Sequence, residues 1–266
     1  MDYIEIYKKE HIQNKLSYSE IRKKYNIPRG TWDYHVRHKA GFSADRRKHI
    51  ANDTFFDSID TEEKAYLLGF LYADGYLAND GRIGIRLQCT DEEIIKLIQK
   101  YICPESPIEY TNNQNIKRKP QVSIRWKSNN MYSRLQELGF AVDKTHTQSN
   151  VFSLIPDKFK RHFLRGFTDG DGCVQARNLE EGKKRKISIC WSNGTDLIFR
   201  DIMKWIPLSS WKLYDKNTFF ILRNDTIQSV YYIVNLLYSN CSIYLSRKKF
   251  LADKIIKFYS KNTELT

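Results

Sequence analysis

Two aspartates occupy the positions from which chemistry could be done. Asp74 lies in the stretch LLGFLYADGYL that begins at Leu67, Asp171 lies in FLRGFTDGDGCV that begins at Phe163, and a glycine follows each. They stand 97 positions apart, enough chain for one αβ half-domain, so the stretches read as an internal repeat with one carboxylate per half. Each copy also carries two small residues four apart, Gly69 with Ala73 and Gly166 with Gly170. On a helix such positions share a face, and small side chains there let two helix backbones approach closely. Glycine costs a helix about 1 kcal/mol relative to alanine, so this spacing predicts a compensating contact between the two repeated helices. Paired in parallel about a pseudo-twofold axis, they bring Asp74 and Asp171 together. Two carboxylates at helix C-termini repel each other and the helix dipole. A divalent cation removes that conflict, and Mg²⁺ commonly takes one or two protein carboxylates plus phosphate and water. Metals bridging such a site activate water and stabilise a leaving oxygen. The pair therefore points to Mg²⁺-dependent phosphodiester hydrolysis, with Asp74 and Asp171 as ligands and any backbone ligand around position 73 left open.

The elements that must position this pair follow from periodicity. Each half is predicted to run helix, two strands, helix, two strands, helix, over 59–150 and 151–266. The fold class is α+β, with two pseudo-twofold-related αββαββα halves presenting an antiparallel sheet saddle. In the first half Asp60, spaced to Glu63 as a cap, opens a helix through Leu68 and Ala73 that ends at Asp74. Over 82–88, Ile83, Ile85 and Leu87 alternate with Arg82, Arg86 and Gln88; a helix carries Ile94, Ile95 and Ile98. A strand near Ile108 precedes one in which Val122, Ile124 and Trp126 oppose Arg125 and Lys127, and 131–138 is helical. The second half repeats this order: a helix over 159–170, a strand over 172–177 with Gln175 and Arg177, and a strand whose Ile187, Ile189 and Trp191 oppose Lys186 and Ser188. A helix over 195–205, two strands within 211–223, a helix over 227–237 and a basic amphipathic helix over 245–258 complete it.

The chain ahead of these halves differs in composition. Residues 1–50 hold four of the six histidines and a surplus of Lys and Arg, in a helical pattern throughout. Ile4, Tyr7 and Ile12 form a first apolar stripe; Ser17 and Glu20 have capping-box spacing and open a second helix with Ile21 and Tyr25 on one face. Asn26-Ile27-Pro28 stops it. A third helix buries Trp32 and Val36 and turns Arg29, Thr31, Tyr34, Arg37 and His38 outward, ending near Gly41. Residues 1–42 thus read as a small all-α helix-turn-helix domain whose third helix fits a major groove. Residues 43–58, with Arg46, Arg47 and Lys48, read as a basic linker suited to a phosphate backbone.

The bulk numbers select the partner. With 44 Lys+Arg against 31 Asp+Glu the net charge is +13, which favours a nucleic acid, DNA or RNA. The exposed strand faces, with Arg82, Arg86, Gln88, Arg125, Lys127, Gln175, Arg177, Lys186 and Ser188, suit base edges, because Arg pairs with guanine and Gln with adenine. The chain start lacks the apolar run of a signal peptide, and Val230 to Tyr238 is too short to span a bilayer. A soluble, intracellular monomer with no membrane partner is expected. Cys89, Cys103, Cys173, Cys190 and Cys241 form no CxxC pair, so reduced, mostly buried thiols are expected.

The two motif stretches resemble the LAGLIDADG homing endonucleases, in the single-chain form with two motif copies, over roughly residues 55–260. The resemblance implies site-specific cleavage of double-stranded DNA with a divalent metal, each motif aspartate serving one strand, in the service of a mobile intron or similar element. It also implies that Lys144 in AVDKT and Lys248 in YLSRKK border the active site, where they orient water or offset transition-state charge. Asp91 and Asn193 are weaker candidates for peripheral water contacts. This sequence departs from the family pattern at Tyr72, where the second copy has Asp169, and at Thr168 and Arg165, the latter expected on the outer face of its helix. Two other readings of the same fold stand beside this one: an intron maturase that binds RNA, and a DNA-binding regulator without catalysis.

Overall fold

The computed structural model describes residues 2–14, 16, 18–40, 51–111, 119–142, 151–179 and 186–263. The chain divides into two compact units, Met1–Lys48 and His49–Thr266.

The small unit is helical. Helix α1 (Tyr3–Ile6), capped by the Asp2 carboxylate on the Ile4 and Glu5 amides, continues through Tyr7–Gln13; α2 spans Tyr18–Lys24; α3 (Arg29–Asp33) continues through Tyr34–Lys39. Both continuations end in wider turns, where Asn14 N–H reaches the Lys9 carbonyl and Ala40 N–H that of His35. Tyr7, Ile21, Ile27, Trp32 and Val36 form the core. Ile4, expected on the inner stripe, is exposed. Glu10 is fully buried and accepts from Tyr25 Oη at 2.6 Å, Lys24 Nζ at 2.9 Å and Asn14 Nδ2 at 3.1 Å. Those donors hold its carboxyl down to about 2, so a charged strut ties α1 to α2.

The large unit repeats one topology. Its first half is α4 (Glu62–Asp74), β1 (Gly75–Leu77), β2 (Arg82–Gln88), α5 (Glu92–Tyr101), β3 (Glu109–Thr111), β4 (Gln121–Lys127) and α6 (Asn129–Glu137). After a short α7 (Val151–Leu154) come α8 (Asp157–Gly170), β5 (Cys173–Arg177), β6 (Lys186–Asn193), α9 (Leu197–Trp205), β7 (Lys212–Asp215), β8 (Phe220–Asn224) and α10 (Ile227–Tyr238), and α11 (Ser246–Thr263) is added at the end. The strands form two antiparallel four-stranded sheets of identical order, β1-β2-β4-β3 and β5-β6-β8-β7. Alternation sets the faces: Ile83, Ile85, Leu87, Val122, Ile124 and Trp126 are buried while Arg82, Arg86, Gln88, Arg125 and Lys127 are exposed.

Several local expectations change. Thr61, not Asp60, caps α4 through its hydroxyl on the Lys64 amide; Asp60 instead pairs with Lys64 Nζ at 2.8 Å. Residues 51–58, read as linker, enter the main core through Ala51, Phe55 and Phe56. Arg46, Arg47, Lys48 and Ser17 lie outside the described residues.

Candidate active site at the paired helix ends

Helices α4 and α8 pack as directly as two helices can. A Cβ built on Gly69 would lie 2.0 Å from the Phe163 carbonyl oxygen, and one on Gly166 would lie 2.0 Å from that of Tyr66. Backbone therefore meets backbone at two reciprocal points, and only glycine leaves room. Near the C-terminal end a Cβ on Gly170 would meet the Ala73 Cβ at 2.3 Å and the Asp74 carboxylate oxygen at 3.0 Å. The Asp74 carboxylate thus reaches across the pair to the residue that precedes Asp171. Asp74 is half-buried, and Asp171, the residue that caps α8, is exposed.

The groups around these acids belong mostly to α8 and the turn before α11. Asp169, the second-last residue of α8, is fully buried and accepts from Tyr238 Oη at 2.6 Å, Tyr66 Oη at 2.8 Å and the Leu245 amide at 2.8 Å. Burial raises its carboxyl above the usual range against the pull of those donors, while the same burial and the carboxylate push both tyrosines up. Its lone pairs face donors of the protein, which makes it a structural tie between α8, α4, α10 and the α11 turn.

Lys248 is 5% exposed and its Nζ donates to the carbonyls of Thr168 at 2.7 Å, Gly170 at 3.0 Å and Gly172 at 2.7 Å. An ammonium has three donors, and here all three go to the carbonyl end of α8, where a positive charge also suits the dipole. Burial pulls its pKa down to about 8, opposed by the charges of Asp169 and Asp74. Lys248 therefore lies beside the aspartates and holds the backbone that carries Asp171. Lys144 lies outside the described residues.

Arg247 and Asp91 form a two-pronged ion pair, both N···O distances being 2.8 Å. Asp91 is buried, and through this pair it joins α11 to the first half. Glu93 completes the junction by accepting from the Ser246 amide at 2.8 Å and its hydroxyl at 2.6 Å at the start of α11. Asn193 accepts from the Thr195 amide at 3.1 Å and shapes a turn. Arg165, expected on the outside, is fully buried: it donates to the carbonyls of Ile243 and Leu237, each at 2.9 Å, and to Glu62 at 2.6 Å. A helix face that looks polar in sequence is an internal face here, because the 237–245 segment closes over it.

The sheet surfaces supply the remaining expected contacts. Arg82, Arg86, Gln88, Arg125, Lys127, Arg177 and Lys186 are exposed and Gln175 is half-exposed, but Ser188 is buried, with no partner for its hydroxyl among the described residues. Arg82 faces Lys127 across β2 and β4, and Arg177 faces Lys186 across β5 and β6. Like charges directly opposite each other destabilise a strand pair, and each sheet repeats that arrangement. In the small unit Arg29, Tyr34 and His38 are exposed and Thr31 half-exposed, while the Arg37 side chain lies outside the described residues.

The tie between Asp169, Tyr66 and Tyr238 and the junction between Asp91 and Arg247 have no local signature, since their partners lie 69 to 156 positions apart. The one available signal was a charged residue at a helix position where the other copy is apolar.

Among the described residues no three His, Cys, Asp or Glu side chains cluster as a metal cage. Two carboxylates at adjoining helix ends fit an open Mg²⁺ site, which takes one or two protein carboxylates and leaves its other positions to phosphate and water.

No protein-family model matches the chain, and no curated protein does. Solved structures do. I-AabMI, a LAGLIDADG meganuclease bound to uncleaved DNA, aligns with a TM-score of 0.52 at 14% identity over 75% of this chain and 91% of its own. I-GzeII, a LAGLIDADG homing endonuclease in complex with its DNA target, gives 0.53 at 13% over 76% and 92%. I-SmaMI, bound to uncleaved DNA in the presence of calcium ions, gives 0.53 at 10% over 76% and 93%. The duplicated αββαββα halves, joined through the glycine faces of α4 and α8, are thus the fold of the LAGLIDADG homing endonucleases.

Proposed function

We propose that this chain is a site-specific endonuclease that cuts double-stranded DNA with a divalent metal, Mg²⁺ in the cell, and so moves the intron or other element that encodes it. The observation that carries this reading is the approach of the Asp74 carboxylate to Gly170, the residue before Asp171, at the ends of the paired helices. A DNA-binding protein without catalysis has no use for that concentration of negative charge.

Asp74 and Asp171 hold the metal. When bound, it supplies charge stabilisation for the phosphodiester and an activated water. The protein's own groups do the rest. Lys248 fixes the backbone from Thr168 to Gly172 and thereby the direction of Asp171, while the packed helices keep Asp74 opposite it. Arg82 with Lys127 and Arg177 with Lys186 gain phosphate or base-edge partners when DNA is bound, although Arg82 also pairs with Asp80 at 2.7 Å. The helices of the small unit add a second DNA contact through Arg29, Thr31, Tyr34 and His38.

Purified protein is incubated with a randomised duplex library with and without Mg²⁺, alongside Asp74→Asn and Asp171→Asn. The parent cuts a defined sequence only with the metal, and each variant binds that sequence but cuts at least about a hundredfold more slowly. Binding without cutting by the parent refutes the enzyme reading.

A further inference from the structure

The expectation of mostly buried thiols is not met, since four of the five are at least partly accessible. Among the five cysteines Cys103 is buried and Cys173 is exposed, with Cys89, Cys190 and Cys241 in between. Cys173, the first residue of β5, faces Cys190 of β6 directly across the antiparallel ladder. Directly opposed residues of such a ladder have Cα atoms about 4.5–5.5 Å apart, inside the range of about 4.4–6.8 Å that a disulfide spans. The two side chains share a face, and the Cys173 sulfur also accepts from Gln175 Nε2 at 3.8 Å. Cys190 in turn faces Arg223 of β8, which faces Lys212 of β7, so the pair begins a row that crosses the sheet on its basic side.

The position of the row matters. Only Gly172 separates Cys173 from Asp171, and the Gly172 carbonyl is one of the three that Lys248 holds. We infer that Cys173 and Cys190 form a reversible cross-strand disulfide by exchange with a small-molecule disulfide, and that closing it slows cleavage at the Asp171 half of the site. The exposed Cys173 sulfur displaces one thiol from the small disulfide and forms a mixed disulfide. Cys190 sulfur then attacks Cys173 sulfur and releases the second thiol. Two protein S–H bonds are lost, one S–S bond forms, and the reagent leaves as two thiols carrying both protons.

The consequence for chemistry is geometric. Two facing thiols become a bond of about 2.0 Å, which draws the start of β5 toward β6 and pulls on the turn through Gly172. A displacement on the order of 1 Å at a reacting group can cost about a hundredfold in rate. DNA affinity, spread over both sheets, changes far less.

The second part of this inference rests on the nuclease reading; the first does not. The reduced full-length chain is treated with oxidised glutathione, alkylated, digested and analysed by mass spectrometry. The expected product is a peptide pair linked through Cys173 and Cys190, lighter by two hydrogens, which dithiothreitol separates and which Cys173→Ser and Cys190→Ser cannot form. A mixture of other linkages, or full alkylation of both thiols, overturns the site. Where the parent cuts DNA, the oxidised form nicks one strand at least about tenfold more slowly than the other, dithiothreitol restores it, and Cys173→Ser, which lacks the attacking thiol, is insensitive to the oxidant. Equal rates in both forms, with the linkage present, overturn the regulatory role.

Discussion

Helices α4 and α8 occupy equivalent places and solve the same problem with opposite chemistry. Aligned on their closing aspartates, Ala65, Leu68, Leu71 and Tyr72 of α4 correspond to His162, Arg165, Thr168 and Asp169 of α8. In α4 the first three are buried apolar side chains, and the Tyr72 ring packs against Phe140, Phe163 and Phe167 at centroid distances of 5.6–5.9 Å. In α8 all four are buried and polar, tied to Glu62, Tyr66, Tyr238, Trp191 and the 237–245 backbone. The shared feature is the glycine contact. The difference teaches that the pseudo-twofold axis constrains what lies on it and leaves each half free to choose what lies behind it.

The largest test separates the two solutions at their most divergent position. Asp169→Leu leaves two tyrosine hydroxyls and the Leu245 amide without an acceptor in the core, and is expected to cost about 4 kcal/mol in urea unfolding. Tyr72→Leu, which removes only part of an aromatic cluster, should cost about 1–2 kcal/mol. Equal losses would break the contrast.

The shared contact gives the next effect. Gly69→Ala and Gly166→Ala each drive a methyl group to 2.0 Å from a backbone carbonyl oxygen of the other helix, and each is expected to lose about 3 kcal/mol. The losses should match within experimental error, because the clashes are reciprocal. A tolerated substitution on one side would show that the halves separate more easily than their geometry implies.

Much of this contrast was visible in the sequence, and the reason is period. The glycine spacing, both aspartates and the alternation over 82–88 and 121–127 are local patterns, and local patterns report which face is buried. What they do not report is which buried face is apolar. A charge on a helix is usually solvated, which points Arg165 outward, yet its three acceptors come from 62, 237 and 243, supplied by chain far away. Lys248 was legible as a residue near the site through its resemblance to a family pattern. Its three carbonyl partners follow only from where α11 begins. Ser188 keeps strand alternation and is nevertheless buried, since alternation marks a face and cannot say what covers it.

Arg165 itself supplies a smaller test. Replaced by the leucine of its counterpart, Arg165→Leu leaves the carbonyls of Leu237 and Ile243 without their donor and Glu62 with only the Ser242 and Ile243 amides, and is expected to cost about 2–3 kcal/mol. The pair Glu62→Leu with Arg165→Leu, which makes the second helix resemble the first, should recover most of that loss in a double-mutant cycle. Failure to recover would mean that the two carbonyls at 237 and 243 need the guanidinium more than Glu62 does.

The smallest effect is one of pH, and only the second half should show it, because Ala65 stands where His162 does. Burial and then the Arg165 charge hold the His162 imidazole down to about 4, outweighing the opposite pull of Glu62 at 3.6 Å. In the unfolded chain a histidine titrates near 6.5. A group with a depressed folded pKa binds its proton more readily when unfolded, so its contribution is fully present above pH 6.5 and is lost as pH falls from there toward 4. Because the ring keeps some contact with solvent, the expected loss between pH 7 and 4.5 is about 1–2 kcal/mol. His162→Gln should flatten that limb of the stability profile, measured by urea unfolding at half-unit steps, while Ala65→Ser leaves it unchanged. A parent whose profile is already flat between pH 6.5 and 4.5 would place the imidazole in water and remove the polar core of α8 as a source of acid sensitivity.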